Sequence, residues 1–338
     1  MKFKIAIILA SVFSSIVNAH YDDAYNHSSS STYKNNSWMK RLSNQENIDT
    51  ISIPGTHDSA SFYGGDIVQT QSMSITSQLN SGVRFLDIRL RHINNVFAIH
   101  HGPVFQKQFF GDILNQVRYF LLKNPSEFIL MRVKKEHTEE NNTRSFEDTF
   151  SDYVNKYSDV IFNSSGSSYF PTVYEARGKI VFLDQIPTTG KYPPFGIKYH
   201  NFSVQDAYSV STNWDLYGKW EKVKKHLEES SSTKKRARIN YLSASGGAFP
   251  YFIASGHSSN GNSAPRLATG LTTPGWKKSY PDFPRVSCFI GICTIAFEGT
   301  NILTKNWILK NKPDYTGIVV ADFIGSGLID AVINSNFK

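Results

Sequence analysis

Long apolar runs and cysteine are both scarce in this sequence. Beyond residue 19, no stretch approaches the roughly 18 apolar residues that a membrane-spanning helix needs. The 338 residues include two cysteines, Cys288 and Cys293, so the cysteine and histidine clusters of zinc sites are absent. Tight acidic clusters for calcium, the P-loop, the dinucleotide fingerprint and internal repeats are missing as well. We therefore expect no metal and no cofactor.

The two cysteines are five residues apart, which leaves their pairing open. An oxidising compartment would allow them to pair around the short turn between them. In one extended strand, however, positions five apart point to opposite faces, so pairing requires a bend at Gly291. Both alternatives stay open at this point.

The overall composition is that of a globular protein with a large core. Hydrophobic residues make up 40% of the chain and charged residues 19%, which argues against overall disorder. Lys2 and Lys4, an apolar run at 5–13 and the small residues before His20 predict a secretory signal at 1–19. The protein is thus predicted to be secreted. Residues 20–37 are polar and are predicted to form a mobile leader, and a single catalytic domain is expected at 38–338.

The formal net charge is +8, and it stays basic after the two lysines of the signal are removed. A basic surface attracts anionic partners such as lipid head groups or nucleic acid. A lysine-rich surface that is merely solvated explains the same charge, so the charge alone identifies no partner. We expect no nucleic-acid partner and a monomer.

Short β-branched or apolar runs alternate with helix-like segments from residue 38 onward. The strand-like runs lie at 50–57, 85–92, 96–102, 127–136, 179–185, 203–208, 237–245 and 316–325. Between them, one helix is predicted to be capped by Asp112 and another to begin near Phe146. This alternation over about 300 residues favours an α/β fold, a single distorted TIM barrel. The Gly-, Ser- and Pro-rich run 246–287 is predicted to be a long surface excursion.

The first strand-like run ends in the stretch Gly-Thr-His-Asp-Ser. In such barrels, reactive residues come from the carboxyl ends of the strands. The run would therefore deliver His57 and Asp58 to the rim of the barrel, after a turn that Gly55 permits. A structural cap or turn is the competing interpretation, because threonine, aspartate and serine favour such places.

The next two runs add charge and imidazole. Asp87, Arg89 and Arg91 alternate onto one face of the second run, while its apolar residues share the other face. A solvated edge strand is the alternative, but an inward face would need partners or an anionic substrate. The third run ends in His100 and His101, of which one at most faces the site.

Histidines, an arginine and carboxylates from three strand ends together supply a general base, a general acid and a cationic clamp. This set suits phosphoryl transfer: a base activates a hydroxyl, an acid protonates the leaving oxygen, and a positive charge binds the phosphorus-bound oxygens. Histidine suits both proton steps near neutral pH.

The motifs ISIPGTHDS, GVRFLDIRLR, AIHHGP, NPSEFILMRVKKE, ARGKIVFL, SVQDAY and GIVVADFI resemble, in this order, the bacterial-type secreted phosphatidylinositol-specific phospholipases C. The resemblance runs from about Trp38 to the C-terminus and is dense as far as Tyr208. It implies a distorted TIM barrel and a metal-independent reaction. In that reaction the inositol 2-hydroxyl attacks phosphorus, giving inositol 1,2-cyclic phosphate and diacylglycerol.

The resemblance also implies roles for individual residues. His57 would be the general base, supported by Asp322, and His101 the general acid, assisted by Asp58. Arg89, with Asp87 nearby, would stabilise the phosphorane in the place that calcium occupies in the eukaryotic enzymes. Head-group contacts would fall to Lys134, Gln185, Asp206 and Tyr208. Taken without the family, Lys134 is equally a solvated lysine, Asp206 a turn cap, Tyr208 a core aromatic and Asp322 a structural carboxylate.

One position departs from the family pattern. The family commonly has an inositol-binding arginine where this chain has Gln185, which can hydrogen-bond but brings no charge. We therefore expect weaker head-group binding, which Gln185→Arg should restore by lowering the Michaelis constant. The run 246–309 is also longer than in compact members, and its aromatic residues either pack on the barrel or contact lipid.

The leading hypothesis is a phosphatidylinositol phosphodiesterase in peripheral contact with membranes, and GPI-anchored proteins are further candidate substrates. Two alternatives compete with it. One is a metal-dependent barrel phosphodiesterase acting on glycerophosphodiesters or sphingomyelin, which would want an acidic metal cluster. The other is a non-catalytic lipid- or inositol-binding module, which would predict the loss of His57, His101 or Arg89.

Overall fold

The computed structural model describes residues 23–164, 169–232, 237–259 and 264–337. The predicted signal at 1–19 lies outside these ranges. The strands are β1 (Ile53–Thr56), β2 (Phe85–Ile93), β3 (Val96–His101), β4 (Val104–Phe109), β5 (Ile129–Lys135), β6 (Ile180–Gln185), β7 (Ile197–Lys198), β8 (Ser203–Gln205), β9 (Ser209–Val210), β10 (Arg238–Tyr241), β11 (Ser245–Gly246), β12 (Ala268–Thr273), β13 (Arg285–Phe289), β14 (Ile292–Ala296) and β15 (Ile318–Ala321).

The helices are α1 (Ile75–Ser81), α2 (Phe110–Lys123), α3 (Phe146–Lys156), α4 (Val173–Ala176), α5 (Leu216–Ser232), α6 (Pro250–Ser255), α7 (Thr300–Asn311) and α8 (Ser326–Asn334). Within the described ranges, no helix combines the length and apolar character that crossing a bilayer requires. The apolar side chains Ile113, Val117, Phe120 and Leu121 on one face of α2 are all buried. Its Asp112 carboxylate accepts the Phe109 N–H, so Asp112 lies inside the first turn of the helix rather than at the cap.

The main sheet is a curled, incompletely closed α/β barrel whose eight parallel strands follow the order β7-β6-β5-β2-β1-β15-β10-β8, with no pairing between β7 and β8 in the described residues. Strands β1, β10 and β15 are buried along their whole length, because helices cover one side and barrel side chains fill the other. Such strands read as nearly continuous apolar runs in the sequence. The parallel arrangement brings the carboxyl ends of all eight strands to one rim. It agrees with the barrel predicted from the alternating runs.

The hairpin of β3 and β4 differs from the expected arrangement. Strand β3 pairs antiparallel with β2, with Leu90 opposite Ile99, and β4 pairs antiparallel with β3. The third strand-like run is therefore part of an antiparallel hairpin and is not one of the parallel strands of the barrel. Only two residues separate β2 from β3, and a parallel crossover needs a connection of a dozen or more residues. Strand β2 extends beyond the rim of the barrel, and the chain then folds back along it as β3. The carboxyl end of β3 therefore lies at the rim.

The segment 23–37, predicted to belong to a mobile leader, packs against the barrel. Ala24 and Tyr25 are buried, and Tyr25 forms an antiparallel bridge with Ile324. The Gly325 N–H donates to the Ala24 carbonyl at 3.0 Å. Ala24 and Tyr25 belong to the hydrophobic core of the barrel. The low apolar content of 20–37 therefore did not indicate that this segment packs.

The excursion at 246–287 is only partly on the surface, which corrects the prediction. All six residues of α6 are buried, and Phe283 packs edge-on against Tyr217 at 5.1 Å between ring centroids. Trp276, by contrast, is exposed. The aromatic residues of this region thus divide between packing on the barrel and facing solvent.

Strands β12, β13 and β14 form a separate antiparallel sheet. Cys288 and Cys293 are joined by a disulfide across the β13–β14 hairpin. The chain reverses at Gly291, whose φ of +76° suits glycine, and Phe289 pairs with Ile292. The two cysteines therefore lie on facing strands, so the rule for a single extended strand does not apply.

Candidate active site

The register of two neighbouring strands places His57 beside Asp322. Thr56 pairs with Ala321 where β1 and β15 run parallel, so the next residue of each strand emerges at the same level of the rim. The His57 Nδ1 lies 2.8 Å from the buried Asp322 Oδ1. Burial raises the pKa of Asp322, and the neighbouring His57 opposes that rise. The contact orients the imidazole with its Nε2 toward the rim.

Asp58 follows directly and turns inward to a second imidazole. Its φ of +39° bends the chain, and its carboxylate is fully buried. Asp58 Oδ2 lies 3.1 Å from His101 Nδ1. Burial raises the pKa of Asp58 to about 7, whereas burial and the nearby Arg89 lower the pKa of His101 to about 4. The same His101 nitrogen also lies 3.2 Å from the Ser61 hydroxyl, so a carboxyl and a hydroxyl both face this side of the imidazole.

Arg89 lies between the two imidazoles. Its Nη2 is 2.6 Å from His57 Nε2, and its Nη1 is 3.6 Å from Asp58 Oδ2. Asp87, two residues earlier on the same face of β2, is also 3.6 Å away. Burial alone would lower the pKa of Arg89, but Asp58, Asp87 and Glu136 raise it overall. The guanidinium is therefore a permanent positive charge.

Asp87 anchors this charge by contacting a second guanidinium. Arg132 Nη1 lies 3.2 Å from Asp87 Oδ1, on the side away from Arg89. Burial alone would raise the pKa of Asp87, but Arg132 and Arg89 together hold it well below its usual range. The sequence analysis did not select Arg132. One feature of the sequence could have identified it: Arg132 is a basic residue inside the apolar run FILMRV, two positions before Lys134.

These groups surround a cavity of about 310 Å³ at the carboxyl rim of the barrel. Its lining includes seven of the ten predicted site residues: His57, Arg89, His101, Lys134, Asp206, Tyr208 and Asp322. Asp58 and Asp87 lie behind them. Tyr208 is 67% exposed, which excludes its alternative interpretation as a core aromatic. Burial and Arg89 lower the pKa of Lys134.

Gln185 is the predicted site residue that lines a different cavity. It lies on a larger neighbouring cavity of about 520 Å³ with Asp184, Tyr192 and Tyr199. The larger cavity is a poorer candidate for the chemistry, because its carboxylates are occupied in holding a loop. Asp184 accepts the Ile186 and Phe195 N–H groups.

Two charged residues near the motifs stay outside the site. Arg91 is directed away and bonds the Thr138 carbonyl and Glu140. His100 is buried on the face of β3 opposite His101, with its ring 5.6 Å from that of Phe105. The alternation of β3 thus brings one of the two histidines into the cavity, as predicted.

Across the described ranges, no three His, Cys, Asp or Glu side chains are grouped so as to hold a metal ion. The arrangement does offer one imidazole oriented by a carboxylate, at His57 and Asp322, a second imidazole beside a carboxyl of raised pKa, at His101 and Asp58, and a fixed cation between them. This is the equipment for moving one proton onto and another off a phosphodiester.

Comparison with known proteins points to the same chemistry. Residues 52–185 match the sequence model of "Phosphatidylinositol-specific phospholipase C, X domain". A 1-phosphatidylinositol phosphodiesterase of Listeria monocytogenes is 33% identical over 229 residues, covering 61% of this chain and 68% of that protein. One from Staphylococcus aureus is 30% identical over 314 residues, covering 82% and 92%.

Solved structures agree in fold. The phosphatidylinositol-specific phospholipase C of Listeria monocytogenes superposes with a TM-score of 0.65 at 25% identity, covering 90% of this chain and all of that one. A Staphylococcus aureus phosphatidylinositol-specific phospholipase C gives 0.64 at 24% identity, covering 90% and 98%.

Proposed function

The chain belongs to the phosphatidylinositol-specific phospholipase C X-domain family, and we propose from this that it cleaves phosphatidylinositol to diacylglycerol and inositol 1,2-cyclic phosphate. The observation that carries the proposal is the position of Arg89, in contact with His57 on one side and with Asp58, the partner of His101, on the other. A phosphodiester that binds Arg89 would have a proton acceptor and a proton donor on its two sides.

The first step is the attack of the hydroxyl next to the phosphodiester. The Nδ1–H of His57 donates a hydrogen bond to Asp322. The Nε2 of this neutral ring is then unprotonated and carries a lone pair. A phosphate oxygen that draws Arg89 toward itself frees this lone pair to take the hydroxyl proton. The hydroxyl oxygen then bonds to phosphorus and closes the cyclic phosphate. Asp322 stabilises the resulting imidazolium because it is buried and 2.8 Å away.

The second step releases the lipid. The bond between phosphorus and the diacylglycerol oxygen breaks as His101 gives that oxygen the proton held by the Asp58 and His101 pair. Arg89 compensates the charge on the phosphorus-bound oxygens, in a buried setting where electrostatic interactions are stronger than in water. Lys134, Asp206 and Tyr208 would contact the inositol ring at the mouth of the cavity.

The proposal places the enzyme outside the cell, as a monomer in peripheral contact with phosphatidylinositol-containing membranes. Secretion is supported by the predicted signal at 1–19, and the peripheral contact by the location of the substrate. The proposal includes GPI-anchored proteins, because their anchors contain the same phosphodiester between inositol and a glycerol lipid.

Product analysis tests the function directly. The purified enzyme is incubated with vesicles of phosphatidylinositol, phosphatidylcholine or sphingomyelin and, separately, with a GPI-anchored protein. We expect diacylglycerol and cyclic inositol phosphate from phosphatidylinositol alone among the three lipids, because the cavity is lined for a ring with hydroxyl groups. Cleavage of phosphatidylcholine or sphingomyelin at a similar rate would reject the assignment.

The pH dependence of kcat/KM tests the acid. The Asp58 carboxyl, with its pKa raised to about 7, is protonated below that pH and ionised above it. The pair therefore holds its proton at lower pH and loses it as the pH rises, so we expect kcat/KM to fall about tenfold per unit above pH 7. Asp58→Asn cannot ionise and should abolish this limb along with most activity. An unchanged alkaline limb in that variant would exclude Asp58 from the acid.

A further inference from the structure

Arg132 is a buried cation that lines the cavity and takes no part in the proton transfers proposed above. It lies two residues before Lys134 on β5, so strand alternation places both side chains on one face, and both line the smaller cavity. Arg132 is only 4% exposed. Burying a guanidinium costs free energy unless the group is paired and hydrogen-bonded. The contacts of Arg132 therefore indicate its role.

Those contacts fix the guanidinium from several sides. Nη1 donates to the Tyr241 hydroxyl at 2.9 Å and to Asp87 at 3.2 Å. Nε and Nη2 both donate to Gln185 Oε1, at 2.9 and 2.7 Å. The Tyr199 ring lies under the guanidinium at 4.4 Å. Four of the five N–H groups are engaged in these bonds, so one N–H on Nη2 is left for a ligand in the cavity.

Gln185 acts on the cavity through Arg132. Its side-chain oxygen receives two N–H groups of the guanidinium, which defines the plane and direction of that group. Gln185 itself lines the neighbouring larger cavity. A neutral acceptor is what this place requires, because an arginine there would bring a second positive charge within hydrogen-bond distance of the first.

We propose that Arg132 is a head-group recognition residue and that Gln185 is the residue that positions it. The inference rests on the proposed function and adds to it a specificity determinant for a ring bearing several hydroxyl groups. Arg132 and Lys134 donate to ring oxygens, and Asp206, at the mouth of the same cavity, accepts from ring hydroxyls. The positive charge of the subsite comes from β5, and the neighbouring β6 supplies the acceptor that orients it.

This assignment reverses the expectation for Gln185→Arg. The sequence alone suggested that an arginine at 185 would strengthen head-group binding. With Arg132 already bonded to Gln185, the substitution removes the acceptor and sets two guanidinium groups against each other. We expect the Michaelis constant to rise.

The experiment compares Arg132→Gln, Gln185→Arg and the double variant with wild type, on a water-soluble inositol phosphodiester and with free myo-inositol as competitor. Arg132→Gln should raise KM and the inhibition constant of myo-inositol roughly 10- to 100-fold, a larger change than the fall in kcat that follows from the lost contact with Asp87. Gln185→Arg should raise both constants less. The double variant restores one arginine facing one glutamine and should lie closer to wild type than Arg132→Gln. Arg91→Gln, outside the cavity on β2, is the matched control and should leave all constants unchanged.

Different results would overturn the inference. If Arg132 only supports Asp87, kcat falls in Arg132→Gln, while KM and the inhibition constant of myo-inositol do not change. A lowered KM in Gln185→Arg, or a double variant no better than Arg132→Gln, would also reject the pairing. Should Arg132→Gln fail to fold, Gln185→Arg tests the same contact from an exposed position. Failure of the proposed function would show separately, as wild-type enzyme that does not cleave phosphatidylinositol, and myo-inositol binding by calorimetry would still test Arg132.

Discussion

Replacing either His57 or His101 by alanine should lower the turnover of phosphatidylinositol by ~10²- to 10⁴-fold, the usual contribution of a general acid or base. His57→Ala removes the proton acceptor and leaves Asp322 buried beside an empty space. His101→Ala removes the imidazole through which the pair with Asp58 reaches the leaving oxygen. The two losses should not multiply fully in the double variant, because both residues act on one transition state.

The fold should survive both changes. His57 and His101 are partly exposed at the rim and contribute little to the core, so the melting temperature should stay close to that of wild type. Turnover is measured on vesicles and circular dichroism on the same samples, with His137→Ala, an exposed histidine after β5, as the matched control. A folded His57 or His101 variant within about threefold of wild-type activity would refute the acid and base assignment.

Arg89→Lys should lose about 100-fold or more in kcat, although the charge is kept, because removing one stabilising donor from such a site has effects of this size. A guanidinium presents a planar fork of donors that matches two phosphate oxygens, whereas an ammonium is a point charge on a flexible stem. In this structure the fork also spans Asp58 and Asp87, which lie 3.6 Å from its two terminal nitrogens. Lysine cannot reach both carboxylates and the substrate at once.

The same charge predicts independence from divalent cations. If Arg89 supplies the positive charge at the phosphate, wild-type activity should persist in excess chelator and should not rise with added calcium. The assay uses wild type, Arg89→Lys and the control Arg91→Lys, each untreated, chelated or supplied with calcium. Chelator-sensitive wild type that calcium restores would reject the arginine in favour of a metal-dependent reaction.

Most of the candidate site could be located from the sequence, because its residues follow strand ends. His57, Asp206 and Asp322 come directly after β1, β8 and β15, and parallel strands bring such positions to one rim. Strand alternation also separated His101 from His100. The charged face of β2 was predicted as a whole, yet Arg91 bonds Glu140 outside the cavity, because alternation does not reveal where along a strand the cavity ends.

The interpretation of Gln185 could not be reached from the sequence. Comparing position 185 with the family pattern indicates that an arginine is missing. The comparison cannot show that the Arg132 guanidinium on the neighbouring strand donates to the Gln185 side chain. The contact depends on the register of β5 against β6, in which Lys134 lies opposite Gln185 and Arg132 lies two pairs deeper, opposite Leu183. The expectation for Gln185→Arg that was drawn from the sequence could not take this contact into account.

The sequence by itself predicted the class of fold from the alternation of its runs, which is a local pattern, and its resemblance to a known family selected most of the residues that line the cavity. Only the tertiary structure decided that β3 folds back antiparallel, that residues 24 and 25 pack on the barrel, that Cys288 meets Cys293 and that Arg132 belongs to the cavity. Each of these depends on contacts between segments brought together by folding. The free energy of such contacts comes from burial and pairing, which local propensity does not encode.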